Sequence, residues 1–125
     1  MNTNPSTGLQ TTNKQLSGII RKKYDRNQVI FREHENGEVA YIIANGQVQI
    51  VKESDNGHTI LGVLEKGAMF GEMALIDDKP RMASAKAING PVELLIVSKA
   101  NFQKKIDALD PFTRGLIKFM AEIVR

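Results

Sequence analysis

The sequence predicts a mainly β fold of the sandwich or jelly-roll kind, closed at its C-terminal end by helices. Three observations carry this. Short apolar runs, several alternating with period two, fill residues 19–97 and are cut by Gly, Asn, Asp and Pro. The period then changes, and the last third reads as two capped helices. The length, 125 residues, suits one domain that buries a core without staples.

Residues 1–18 are expected to form a flexible polar arm, because Asn, Thr, Ser, Pro and Gly leave it nothing to bury. The domain proper is placed at 19–125. A first strand is predicted from Ile19 to Tyr24, a second over Gln28–Phe31 and a third over Val39–Ile43. Asn45-Gly46 is a turn signal, and Gln47–Val51 alternates as a half-buried strand does. Asp55-Asn56-Gly57 marks a hairpin whose second strand is His58–Leu64. Further strands are predicted over Met82–Ile88 and Val92–Val97, with Asn89-Gly90-Pro91 turning between them. Some eight strands at this spacing are the mark of a sandwich or roll.

Ser98 is placed to cap a helix through Leu109, and Asp110-Pro111 to start a second. In the second helix Phe112, Leu116, Phe119 and Ile123 form one apolar row, with Ile117, Met120 and Val124 beside it. That surface is wider than one packing face needs. The helix is expected to clamp on the barrel, and its spare apolar face to cover a ligand or a second subunit.

Composition removes several functions. With no cysteine there are no disulfides, thiolate zinc sites or cysteine nucleophiles. Two histidines are too few for a usual structural zinc set. No P-loop, dinucleotide-binding glycine motif, zincin pair or serine elbow is present. The net charge of +3 is below a nucleic-acid signature. No apolar run reaches the roughly 18 residues that span a bilayer. With no export signal at the start, the expected location is the cytoplasm.

The informative stretch runs from Gly67 to Ser84. Gly67 and Gly71 permit sharp turns or close backbone approach. Glu72 to Ile76 is about one turn of helix whose first N–H groups are free to bind an anion. Pro80 forces an extended entry into Arg81. Helix-end amides beside a guanidinium hold one phosphate, the amides giving direction and the arginine a charged fork. Glu72 supplies an acceptor for a sugar hydroxyl. Together with an apolar wall, these groups describe a nucleotide of small charge.

Phe70-Gly71-Glu72-Met73-Ala74-Leu75 followed by Pro80-Arg81-Met82-Ala83-Ser84 resembles the phosphate-binding cassette of the cyclic nucleotide-binding domain. Val29–Glu33, Gly37, Tyr41–Ile43, Gly46 and Val48 fall where that family places its strands and turns. The resemblance covers about Ile19 to Arg125. It implies an eight-stranded β-roll (a double-stranded β-helix, jelly-roll-like), a short phosphate-binding helix and C-terminal helices. It also implies that Glu72, helped by the Gly71 amide, accepts the ribose 2′-hydroxyl. Arg81 would pair with the cyclic phosphate, and the Ala74 and Met82 amides would complete the cradle, with Met73 and Ala83 beside them. Met73, Ile50 and Leu61 are expected as walls for the base or sugar. Met120, Val124 and Arg125 are candidates to close over the base.

Two turn positions depart from the family's frequent Gly, at Asn27 and His34. Asn tolerates left-handed geometry well. Guanine-preferring members tend to carry Thr after the arginine, where this chain has Met82, which tilts the expected ligand toward cAMP over cGMP. Blander readings exist for the same residues. Glu72 alone is an ordinary first-turn acid, and Arg81 alone is a surface partner for Asp77 or Asp78. His58, Arg21-Lys22-Lys23 and Lys104-Lys105 are expected to be solvated.

The expected function is a non-enzymatic regulatory module that binds a cyclic nucleotide and repositions its C-terminal helix, with no cofactor. Its partners would be the nucleotide and either another protein or a second copy through that helix. The alternative is an interaction module of the same fold that binds no nucleotide. A transcription activator is disfavoured, since no helix-turn-helix follows the last predicted helix.

Overall fold

The computed structural model describes residues 19–124, with the arm 1–18 and Arg125 outside the described residues. The elements are β1 (Ile19–Tyr24), β2 (Val29–Phe31), β3 (Val39–Ser54), β4 (Gly57–Leu64), β5 (Met69–Phe70), α1 (Met73–Asp77), β6 (Ser84–Ser98), α2 (Lys99–Asp107) and α3 (Pro111–Val124). The mainly β architecture with flanking helices is as the sequence predicts. All strand pairings are antiparallel, in the order β1-β6-β3-β4, with β2 joined to β6 and β5 to β3.

Strand count differs from the expectation of eight because two predicted turns do not reverse the chain. Val39–Ile43 pairs with Ser98–Leu94, and Gln47–Val51 pairs with Ile88–Ser84. Both halves of β3 thus stay on the same partner, β6. The Asn45-Gly46 and Asn89-Gly90-Pro91 signals become facing irregularities within two long strands. Gly46 has φ +96°, and a Cβ there would stand 2.6 Å from the Pro91 carbonyl oxygen, so glycine is required. Divided at these breaks, the two long strands give four segments and the total becomes eight. Each break also resets which side chains face inward. Tyr41 and Ile43 are buried before Gly46, and Val48 after it; Ala85 and Ala87 give way to Val92 and Leu94.

These residues join Tyr24 and Phe70 in the main core. The hairpin at Asp55-Asn56 forms where it was predicted. Asn27 and His34 both take positive φ, 67° and 76°, as turn positions that glycine often fills. The helix caps also form. Ser98 Oγ accepts from the Asn101 N–H at 3.1 Å, and Asp110 Oδ2 accepts from the Thr113 N–H at 3.2 Å. The strand predicted to begin at Met82 begins instead at Ser84. Arg81 to Ala83 form a bend outside the ladder, in which the Arg81 carbonyl accepts from the His34 N–H and the Met82 carbonyl from Lys52 Nζ.

Candidate functional site

Sequence-distant elements meet around a cavity of ≈ 220 Å³. β3 contributes Ile50 and β4 contributes Leu61 and Leu64. Gly71 and Glu72 come from the turn that enters α1, Met73 and Ala74 from the start of α1, and Arg81, Met82 and Ala83 from the bend before β6. All seven residues predicted for the ligand, and the walls Ile50 and Leu61, therefore line one space. Phe31, Leu64, Met69 and Phe70 also line it and were not among the predicted site residues. β2 is a three-residue apolar run with no alternation to single out Phe31, whereas Phe70 stands within the cassette itself. Met69, beside Phe70 in sequence, is one of three methionines, with Met73 and Met82, that the sequence places near the pocket, although methionine is also ordinary core filler.

Arg81 is the one buried charged residue among the described residues, at 5% exposure. Its Nη1 donates to the Gly71 carbonyl at 2.5 Å and its Nη2 to the Val39 carbonyl at 2.7 Å. The guanidinium carbon lies 4.1 Å from the Phe31 ring centroid and 5.7 Å from that of Tyr41. Those two rings and Phe70 pack together, Tyr41 and Phe70 stacked at 5.1 Å. Among the described residues no carboxylate lies within ion-pair distance of Arg81. Its Nε is buried without a hydrogen-bond partner. The reading of Arg81 as a surface partner of Asp77 or Asp78 is therefore wrong; Asp78 pairs with Lys99 instead.

Burial sets the titration of this site. It lowers Arg81 from the usual guanidinium value, opposed by the charges of Tyr41, Glu35 and Glu72. It raises the Glu72 carboxyl, opposed by a backbone hydrogen bond and the Arg81 charge. It pushes the Tyr41 hydroxyl up to about 12. A buried cation in contact with carbonyl dipoles and ring faces, with no carboxylate in ion-pair contact and one N–H left over, is suited to an anion.

The profile of the cyclic nucleotide-binding domain matches residues 21–108. The chain belongs to the cyclic nucleotide-binding domain family. This domain is 32% identical over 105 residues to mouse cGMP-dependent protein kinase 2, covering 82% of this chain and 14% of the kinase. It is 31% identical over 111 residues to the cyclic AMP receptor protein of Thermus thermophilus, covering 88% of this chain and 51% of that protein. It thus spans about half or less of the length of these relatives. Among solved structures, the cAMP-bound form of the EAL enzyme Bd1971 superposes with a TM-score of 0.80 at 33% identity, covering 84% of this chain and 28% of that one. A cGMP-bound form of the same enzyme superposes equally well.

Of the lid candidates, Met120 is the one whose side chain is described, and it does not join the cavity. Met120 is 54% exposed and absent from the lining. The physical reason is the roll of α3. The helix packs toward α1 with Ala121 buried, and this turns Phe112, Leu116, Phe119, Met120 and Ile123 to solvent. The Val124 side chain and Arg125 lie outside the described residues. His58 is exposed as expected and pairs with Glu53 at 2.7 Å. No described helix is long and apolar enough to cross a membrane.

Proposed function

We propose that this domain binds a cyclic nucleotide, cAMP in preference to cGMP, in the cavity beside Arg81. The single observation that carries the reading is the buried, carboxylate-free Arg81 guanidinium on the cavity wall. In this reading Arg81 takes the cyclic phosphate, with the Ala74 and Met82 amides. Glu72 accepts the ribose hydroxyl next to Gly71. Met73, Ala83, Ile50 and Leu61 form the remaining wall. Met82 in place of a hydroxyl side chain favours adenine, although the relative Bd1971 is described in both cAMP-bound and cGMP-bound forms.

The role is regulatory and non-catalytic. Ligand binding changes the placement of α3 to the extent that α3 contacts the ligand better in one state. The test is calorimetric titration of the chain with cAMP and with cGMP. The expected result is saturable binding of both, tighter for cAMP, and at least tenfold weaker for Arg81→Ala. A charge-assisted phosphate contact is worth about 1.5–3 kcal/mol. Unchanged cAMP affinity in Arg81→Ala overturns the assignment.

The exposed apolar row of α3 favours a second reading, in which the same fold acts through that helix without a nucleotide. Thermal unfolding with cAMP separates the two. A binder gains about 2.7 kcal/mol at a hundredfold excess over Kd, and a module without the site gains nothing.

A further inference from the structure

The bend that carries Arg81 and Met82 is held by a turn on the other side of the chain. The His34 N–H donates to the Arg81 carbonyl at 2.8 Å, and the Arg81 N–H donates to the Glu35 carbonyl at 2.7 Å. The Glu33 N–H donates to Ser84 Oγ at 2.9 Å. Lys52, on β3, donates from Nζ to the Met82 carbonyl at 3.0 Å. Lys52 is itself located by Glu33, whose side chain is only 6% exposed. One Glu33 oxygen accepts from the Glu53 N–H at 2.9 Å; the other lies 3.6 Å from Lys52 Nζ and 3.5 Å from His34 Nε2.

Two successive carbonyls, those of Arg81 and Met82, are thus fixed by donors from outside the cassette. The described peptide bonds are all trans. In a trans unit the C=O and the N–H point in opposite directions. Pinning the Arg81 carbonyl aims the Met82 N–H away from His34, and pinning the Met82 carbonyl aims the Ala83 N–H away from Lys52. These are the backbone donors of a segment whose side chains line the cavity. The left-handed His34 makes the first contact with its backbone, so its side chain is not needed. The second contact depends on a side chain, Lys52, and on the carboxylate that holds it.

We propose that Glu33 and Lys52 are positioning residues, an outer clamp that sets the Met82 and Ala83 amides for the anion held by Arg81. Their effect on ligand rests on the nucleotide reading above; their effect on the amides does not. An ion pair at 3.6 Å whose lysine is half-exposed stabilises little on its own. Here the contribution is geometric, so it registers in backbone orientation and affinity more than in melting temperature.

The experiment compares the full chain with Lys52→Met, Lys52→Arg and Glu33→Gln by amide NMR, thermal unfolding and cAMP titration. Lys52→Met is expected to displace the Met82 and Ala83 amide resonances. It should weaken cAMP by about threefold to tenfold and move the melting temperature by no more than about 4 °C. Lys52→Arg should restore both amides and affinity. Glu33→Gln keeps the acceptor for Glu53 but not the charge, and should fall between. Unmoved Met82 and Ala83 amides in Lys52→Met overturn the clamp, as does equal loss of affinity in Lys52→Met and Lys52→Arg. If the parent chain binds no cyclic nucleotide, the nucleotide reading fails, and the amide shifts and their rescue alone decide the clamp.

Discussion

Gly37 lies directly against the Arg81 guanidinium. A Cβ at position 37 would stand 2.7 Å from Arg81 Cζ and 2.8 Å from the Ala74 Cβ. The arginine end can swing away, but Ala74 is fixed on α1. Gly37→Ala is therefore expected to expel Arg81 from its seat and push α1 outward. Overpacking of this kind costs about 1–3 kcal/mol. Urea unfolding should show that loss, and cAMP titration should show weakening comparable to that of Arg81→Ala. Full affinity in Gly37→Ala would mean that the buried pose of Arg81 is unrelated to binding.

Arg81→Lys keeps the charge and removes the fork. One ammonium cannot reproduce the planar donation to both the Gly71 and Val39 carbonyls. The expected affinity for cAMP lies between those of the parent and Arg81→Ala. Calorimetry that ranks Lys with the parent would assign Arg81 a point-charge role only.

Glu72 provides a pH prediction. Burial holds its carboxyl above the ordinary carboxylate range. The folded chain therefore keeps this proton to higher pH than the unfolded chain does. Stability falls as pH rises from the ordinary value through the raised one, and the deficit persists above it. Glu72→Gln removes the deficit. Without ligand, the variant should be more stable than the parent near pH 7, and the difference should vanish near pH 3, where both states of the parent are protonated. With cAMP the ranking should invert, since the amide is the poorer acceptor for the ribose hydroxyl. Chemical unfolding at the two pH values checks the first claim, and a Gln variant that is less stable at pH 7 refutes it.

Leu75 and Phe119 should respond in opposite ways. Leu75 is 2% exposed and packs with Ala40 and Val97. Leu75→Ala is expected to cost about 2–5 kcal/mol. Phe119 is 59% exposed on α3. Phe119→Ser should alter stability by no more than about 0.5 kcal/mol. Denaturant midpoints of the two variants test the assignment of faces on α1 and α3.

What was legible in the sequence was local. Ser98 and Asp110 announce their helices because a cap is a contact over three residues. The Gly71–Ala83 stretch is readable because the phosphate chemistry and the family spacing fall in one continuous segment. Asn45-Gly46 misleads because the same residues serve a chain reversal and a bulge, and only the pairing with β6 decides between them. Phe31 and Leu64 reach the cavity through contacts between distant segments, which composition does not encode. Where Met120 lies is not readable because α3 is apolar on two sides. The pattern cannot say which side meets α1; the burial of Ala121 does. The clamp from Glu33 and Lys52 was equally invisible, since one of its acceptors is a main-chain carbonyl.

The five residues of α1 separate two compartments. Ala74 faces the cavity, while its neighbour Leu75 faces Ala40, Val97 and Phe102 on the helical side. The partition is one helical turn thick, and α2 and α3 both lean on it. A substitution that reshapes the far side therefore deforms the near side as well. A screen for altered ligand affinity would return Leu75 beside Glu72 and Arg81, although Leu75 is no part of the cavity lining. Such a variant would mark the shared wall, and mapping affinity by mutation alone would draw the site one layer too large.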